Sequence, residues 1–391
     1  MRKIAATYIY PVTSQPIKYG ILYLDDNNTI VKIIDNNGKM VEEEGCEYYN
    51  GIITPGFINA HTHLELSYLK NLFERGAGMR QFLKTMMTKP KTNVSEIAAI
   101  AEYYDKQMYN QGIVAVGDIC NTTDTLEVKT TSKIHYHSFI ELYGLSPKKS
   151  TEIYSNGITI RNEYIKRDLP STITPHAPYS LSKNLLMKIY SENINPLLSI
   201  HILENSIKQE NLSDNAQSFK SLYKQHGIND IENSVEHPFQ LMLKDIVGKQ
   251  LLTVHNTRAT VQDWDIALDI VHRNNISLFA VTCPRSNMYI NSLLPDYNQW
   301  PKEIPVCLGT DSLASNTDLS VFNEILFLLK KTDISFNKLL EWGTLNGARA
   351  LMIDNKFGSL EIGKTPGVNL ISQFDFEKNK PSDNATIRKL A

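Results

Sequence analysis

His61 and His63, in the run FINAHTH, are separated by a single residue. Side chains alternate along a strand, so both imidazoles face the same side. Two ring nitrogens placed that way can share one borderline divalent ion, although a His-x-His pair serves equally well as a purely structural feature. Three more polar residues close apolar runs: His201 after LLSI, His255 after LLTV and Asp311 after VCLGT. Each has an ordinary alternative. A histidine ending an apolar strand is often a packed core residue, and Asp311, near Ser312 and Ser315, could cap a turn or helix. An ionised Asp at the end of a buried strand is costly without a cation or donors, however, and a metal would supply the cation. Glu204 lies three residues past His201, where the strand should give way to a loop. That offset lets a carboxylate face the same cavity without being a ligand, as a general acid or base must. The argument rests on the joint pattern, five ligand-competent side chains at the ends of four strands.

The elements that must position them follow from periodicity. From Thr54-Pro55-Gly56 onward, short apolar runs alternate with amphipathic stretches, the βαβ rhythm of a parallel sheet. Eight strands are expected: GFINAHTH, GIVAVGDI, KIHYHSFIEL, STITPHAP, LLSIHILE, LLTVHN, SLFAVTC and VCLGTDS. The expectation is an α/β fold, a (β/α)8 TIM barrel over 54–354 whose active site lies at the C-terminal strand ends. Residues 1–53 read as short strands (IAATYIYPV, YGILYLDD, TIVKIID) broken by DDNN and DNNG turns. Together with 355–391 they are expected to form a small β-sandwich module built from both chain ends.

The 391 residues suit a barrel plus a modest extra module. A net charge of −2 offers no basic surplus for nucleic acid or an anionic membrane surface. No apolar run is long enough for a membrane span, and the start MRKIAATYIYPVTS reads as a strand rather than a signal peptide. The cysteines Cys46, Cys120, Cys283 and Cys307 form no CxxC pair, which points to a reducing cytoplasm and away from the PCxxC zinc site of cytidine deaminases.

The ordered segments PGFINAHTHLELS, TPHAPYS, HILEN, LLTVHN, TCPRSN and LGTDSLASN, with ATVQDW, LNGARAL and GSLEIGK, resemble the amidohydrolase superfamily. Within it they are most similar to the branch of cytosine, guanine, S-adenosylhomocysteine and aminodeoxyfutalosine deaminases and triazine hydrolases. The resemblance spans about residues 50 to 370. It implies His61, His63, His201 and Asp311 as ligands of one divalent metal ion, zinc or iron, and Glu204 as the proton shuttle. It implies His255 as hydrogen-bond partner of the attacking or tetrahedral oxygen, with Asp311 accepting a proton from water. His176 and Glu65 would touch substrate, and Ser286 and Asn287 would support the site or touch substrate; for Glu65 a buried hydrogen-bonding role is an equal alternative. The arginines that grip a substrate carboxylate in adenosylhomocysteine deaminases have no counterpart here, and GKTPGVNLI departs from the Ala-Asp that usually follows Gly-Lys.

The implied activity is hydrolysis of a non-peptide carbon–nitrogen bond, with water and a small heterocyclic molecule as partners. Deamination of an amino-substituted N-heterocycle or nucleoside is the leading form. Cyclic amide hydrolysis of the imidazolonepropionase type is one alternative. The other is a non-catalytic metal-binding scaffold, for which Glu204 would be superfluous. Base rates of symmetry suggest a homodimer. No lysine stands at the relevant strand end to bridge two metals, which favours one. His135 and His137 form a second His-x-His pair, but near a strand's start, so they read as structural; Glu141 and Tyr143 at its far end are better cavity residues. His226, His237 and His272 read as packing or surface residues. Phe82, Tyr143 and Tyr179 are the aromatics expected near the mouth, and LFERGAGMRQFLKTMMTKP is long enough to cover it.

Overall fold

The computed structural model describes residues 1–391 except 91, 192–195, 211, 214, 215, 217 and 233. All eight expected strands form: β6 (Phe57–Thr62), β7 (Ile113–Cys120), β8 (His135–Leu142), β9 (Ser171–Pro175), β10 (Leu197–Ile202), β11 (Gln250–His255), β12 (Ser277–Thr282) and β13 (Val306–Leu308). Among the described residues they pair in sequence order as two four-stranded parallel sheets, β6 to β9 and β10 to β13. At one seam the His201 main-chain N–H donates to His176 O at 2.9 Å, and at the other Thr310 N donates to His61 O at 3.0 Å. The result is a TIM-barrel-like arrangement of two half-sheets joined at their seams by scattered hydrogen bonds rather than full ladders. Nearly every strand residue is buried, as expected for a parallel sheet covered on both faces.

The covering helices begin where the sequence supplies caps. Asn93 caps Val94–Asn110, Ser320 caps Val321–Lys331, and Thr260 with Asp263 makes a capping box on Val261–Asn274. That box explains ATVQDW: Asp263 closes it, and Trp264 enters the core beside Phe239 and Trp300.

The chain ends meet in one seven-stranded sheet. It comprises β1 (Arg2–Ile9), β2 (Ile17–Lys18), β3 (Ile21–Leu24), β4 (Ile30–Ile34), β5 (Cys46–Pro55), β14 (Val368–Asp375) and β15 (Lys380–Lys389). Its order is β15-β14-β5-β1-β3-β4, with β2 paired to β1. Both chain ends thus contribute strands, within a single hydrogen-bonded layer. Only Gly56 separates β5 from β6. A Cβ there would sit 2.3 Å from Val114 Cγ1 and 2.6 Å from Pro366 O, so the close approach of the end sheet to the barrel strands requires glycine.

Candidate metal-centred active site

The strand ends bring His61, His63, His201, His255 and Asp311 to one place. Ring centroids lie 5.0 Å apart for His61 and His63, 4.8 Å for His61 and His201, and 5.5 Å for His201 and His255. Asp311 Oδ1 is 3.6 Å from His63 Nε2 and 3.9 Å from His61 Nε2. The backbone turns left-handed at Asp311 (φ 58°), His255 (φ 72°) and Leu203 (φ 47°). Non-glycine residues rarely adopt that region, and here it marks three strands bending their ends into the site. At Gly309 a Cβ would meet His61 O at 2.9 Å, so only glycine lets the LGTD turn reach His61.

The donor set fits a divalent metal. His61, His63 and His201 each offer a ligand atom within 4.8 Å of the others. Nitrogens sharing a tetrahedral zinc ion sit about 3.4 Å apart, so small side-chain adjustments suffice. His61 is fully buried, yet neither of its ring nitrogens has a hydrogen-bond partner. Unpaired buried polar atoms are uncommon and costly, and a cation between the rings would satisfy one of them. Burial holds the His61 pKa well below the usual imidazole value, with the neighbouring His63 charge adding to the effect; burial also lowers His201. Both rings therefore stay neutral and keep a lone pair. Burial works to raise the Asp311 pKa, but the surrounding imidazoles of His63, His255 and His61 hold it below the usual carboxylate range. Ser286 Oγ (2.6 Å) and Ser315 Oγ (2.7 Å) donate to Asp311 Oδ2, and Ser312 N (2.7 Å) donates to Oδ1. These donors favour the ionised form a ligand needs.

Glu204 is buried beside this cluster, its Oε1 3.7 Å from His255 Nε2 and its Oε2 unpartnered. Burial pushes its pKa up to about 7, where a carboxyl can both give and take a proton near neutral pH. His255 Nδ1 donates to Asn287 Oδ1 at 2.9 Å, leaving Nε2 toward Glu204. A cavity of about 960 Å³ opens over the site. Its floor includes His63, His176, His201, Glu204, His255 and Asp311; the helix Met79–Met87 supplies Met79, Phe82, Leu83 and Met86 to its wall, joined by Tyr143 and Tyr179. The segment expected to cover the mouth thus forms an apolar side of the cavity.

Of the four residues expected to touch substrate or support the site, only His176 lines the cavity. Glu65 turns away within the 3-10 turn Leu64–Leu69; its carboxylate accepts from Asn121 N (3.0 Å), Thr122 N (3.3 Å) and Thr122 Oγ1 (3.1 Å). The hydrogen-bonding alternative therefore describes its position. Ser286 is spent on Asp311 and Asn287 on His255, so both support residues that face the cavity. His137, near the start of β8, bonds Thr172 Oγ1 at 3.0 Å, away from the end that carries Glu141; His237 bonds Asp263 at 2.7 Å. Sequence reasoning did not find the buried Asp118–Lys129 ion pair. Asp118 Oδ1 accepts from Leu64 N at 2.8 Å and so fixes the turn directly after His63. A charged residue inside the apolar run GIVAVGDIC was the available signal; Lys129, on a short helix, carries none.

The sequence model of the Amidohydrolase family matches residues 52–389. An adenosine deaminase of Helicobacter pylori is 25% identical over 365 residues, covering 88% of this chain and 83% of that protein. A 5-methylthioadenosine/S-adenosylhomocysteine deaminase of Saccharophagus degradans is 25% identical over 387 residues, covering 92% and 81%. Among solved structures, aminofutalosine deaminase of Helicobacter pylori in complex with methylthio-coformycin superposes with a TM-score of 0.81 at 21% identity, covering 95% of this chain and 92% of that one. Atrazine chlorohydrolase of Arthrobacter aurescens complexed with zinc gives 0.75 at 15% identity, covering 96% and 88%. With the family match extending over most of its length and the superpositions over nearly all of it, this chain belongs to the amidohydrolase family.

Proposed function

We propose that the protein is a hydrolytic deaminase that uses one zinc ion, held by His61, His63, His201 and Asp311, to replace the amino group of a nucleoside-borne N-heterocycle with a carbonyl. The observation that carries this reading is the fully buried His61 with both ring nitrogens unpartnered, facing Asp311 and flanked by the proton-exchanging Glu204. The relatives named for adenosine and 5-methylthioadenosine/S-adenosylhomocysteine deamination support the substrate class. When bound, the ion would lower the pKa of a water toward neutrality and so supply a nucleophile. Asp311 takes a proton from the attacking water. Glu204, protonated at the outset, gives its proton to the ring nitrogen next to the amino-bearing carbon, takes the proton of the new hydroxyl as the carbonyl forms and passes it to the departing amine, and is reprotonated by the proton held on Asp311. His255, oriented by Asn287, hydrogen-bonds the oxygen as charge develops on it. The apolar wall of Met79, Phe82 and Leu83 excludes water from the heterocycle. Overall, water is consumed and ammonia released.

The same proposal takes residues 54–354 as the catalytic barrel and 1–53 with 355–391 as the accessory module. It places the enzyme in the cytoplasm as a homodimer, consistent with four free cysteines. Among the described residues no helix is long and apolar enough to cross a membrane. The test is ammonia release from adenosine, 5′-deoxyadenosine, 5-methylthioadenosine and S-adenosylhomocysteine by zinc-loaded protein, beside Glu204→Gln. The variant is expected to keep about one metal per chain and lose on the order of 10²- to 10⁴-fold in turnover. A variant that loses metal but retains its rate per bound ion would overturn the role of Glu204. Ring opening without ammonia would replace deamination with cyclic amide hydrolysis.

A further inference from the structure

Glu141, the penultimate residue of β8, is 6% exposed and lines the cavity. No step above uses it. Its position is built: Asn121 Nδ2 donates to Glu141 O at 3.0 Å and to Oε2 at 3.2 Å, while Asn121 N is anchored on Glu65 at 3.0 Å. The His-x-His-x-Glu segment therefore aims a second carboxyl into the cavity through Asn121. Its other oxygen, Oε1, has no hydrogen-bond partner. The polar atom beside it, His201 Nδ1 at 3.5 Å, directs its proton to the main-chain O of His176 at 3.2 Å. His201 is thus oriented without Glu141. That protonated Nδ1 also leaves no lone pair on this side of His201 for a second metal, although Glu141, His176 and His201 bring donor atoms within 4.8 Å of one another.

The adjacent imidazole completes the picture. Ser180 Oγ gives its single proton to Ala177 O at 3.0 Å, so it must accept from His176 Nδ1 at 2.7 Å. The proton on His176 is thereby assigned to Nδ1, and Nε2 becomes an acceptor. Two polar atoms, the unpartnered Glu141 oxygen and the His176 ring nitrogen, then stand together in the cavity wall. A buried acceptor left unpaired is costly, so a ligand that fits here must bring donors.

We propose that Glu141 and His176 form a polar subsite beside His201, as Glu204 stands beside His255, and that it binds two hydroxyl donors on the non-reacting part of the substrate: a vicinal sugar diol. This rests on the deaminase reading above. The subsite selects nucleosides over free heterocycles, and ribose over sugars lacking the diol.

The experiment compares adenosine with 2′,3′-dideoxyadenosine on the zinc-loaded full chain, reading kcat/KM for ammonia release, calorimetric Kd and metal content for the unmodified enzyme, Glu141→Ala and Glu141→Gln. Glu141→Ala is expected to lower kcat/KM and affinity for adenosine by about 10- to 100-fold, the range for a hydrogen bond to a charged group. It leaves the dideoxy compound within about 3-fold. Glu141→Gln, which keeps an acceptor oxygen, falls between, and all three proteins hold one metal per chain. Equal losses on both compounds, loss of metal, or two metals in the unmodified chain with one in the variants would each overturn the diol subsite. Selective loss of adenosine binding with no ammonia from any compound would uphold the subsite and remove the deaminase reading. Ammonia release without selectivity would do the reverse.

Discussion

Asn287 shows how a side chain can serve the chemistry without facing the cavity. It accepts the Nδ1 proton of His255 and thereby fixes which nitrogen turns toward Glu204. Asn287→Leu would leave that buried N–H unpaired, at a cost of about 1–3 kcal/mol, and free the ring to rotate. The expected result is a turnover loss of about 10- to 100-fold with metal content unchanged, and partial recovery in Asn287→Asp, which restores the acceptor. Steady-state kinetics beside metal analysis checks it; lost metal would mean that Asn287 instead holds the ligand shell together. Ser286 is the parallel case on Asp311, and there the loss should appear in metal affinity.

At the scale of elements, the polar couplings between strands decide where the ligands stand. Asp118 on β7 and Lys129 on the helix Leu126–Thr131 make an ion pair of 2.5 Å, both side chains fully buried. Lys129 also donates to Ser138 Oγ on β8 at 3.0 Å, and Asp118 receives Leu64 N after β6. Three neighbouring strands are thus tied behind His63. Lys129→Met leaves the Asp118 charge buried and uncompensated, for which a destabilisation of about 3–5 kcal/mol is expected in urea unfolding. Adding Asp118→Asn to that variant should recover part of the loss. Additive losses in the double variant would show that the two groups do not act as a pair. The strands and helices themselves were readable, because each follows a local period or cap, as the alternation from Gly56 onward and Thr260 with Asp263 illustrate. This tie was not readable, because its partners are distant in sequence and Lys129 looks like any surface lysine.

For the whole molecule, burial of carboxyls makes stability depend on pH. Burial raises the pKa of Glu210 to about 8 and of Glu324 to about 7. In the unfolded chain both would ionise near pH about 4.3. Between these values the unfolded state releases protons that the folded state keeps, so this contribution is fully present below about pH 4 and is lost as pH rises through 7 to 8. Relative to Glu210→Gln, whose side chain cannot ionise, the urea midpoint of the unmodified metal-free protein should therefore fall from pH 5 to pH 8; the comparison cancels the opposite contribution of the buried His61, His176 and His201, whose lowered pKa values make stability rise with pH. A difference between the two proteins that stays constant over that range would contradict the burial-driven shift of Glu210. Zinc should act in the opposite direction, because it binds the folded site: at 100 times its Kd it would add about 2.7 kcal/mol, read as a higher Tm that chelation abolishes.

The residue order alone determined that eight apolar runs would become parallel strands and that His61, His63, His201, His255 and Asp311 would sit at their ends, since strand period and strand termination are local properties. Family resemblance then supplied roles for them. Only the tertiary structure decided which polar groups had already spent their hydrogen-bonding capacity. Glu65, Ser286 and the Asn287 oxygen are engaged by neighbours more than 20 residues away, whereas His61 and one oxygen each of Glu141 and Glu204 are left open. That distinction depends on three-dimensional pairing in a buried space, where each donor and acceptor is satisfied once, and no local pattern encodes it.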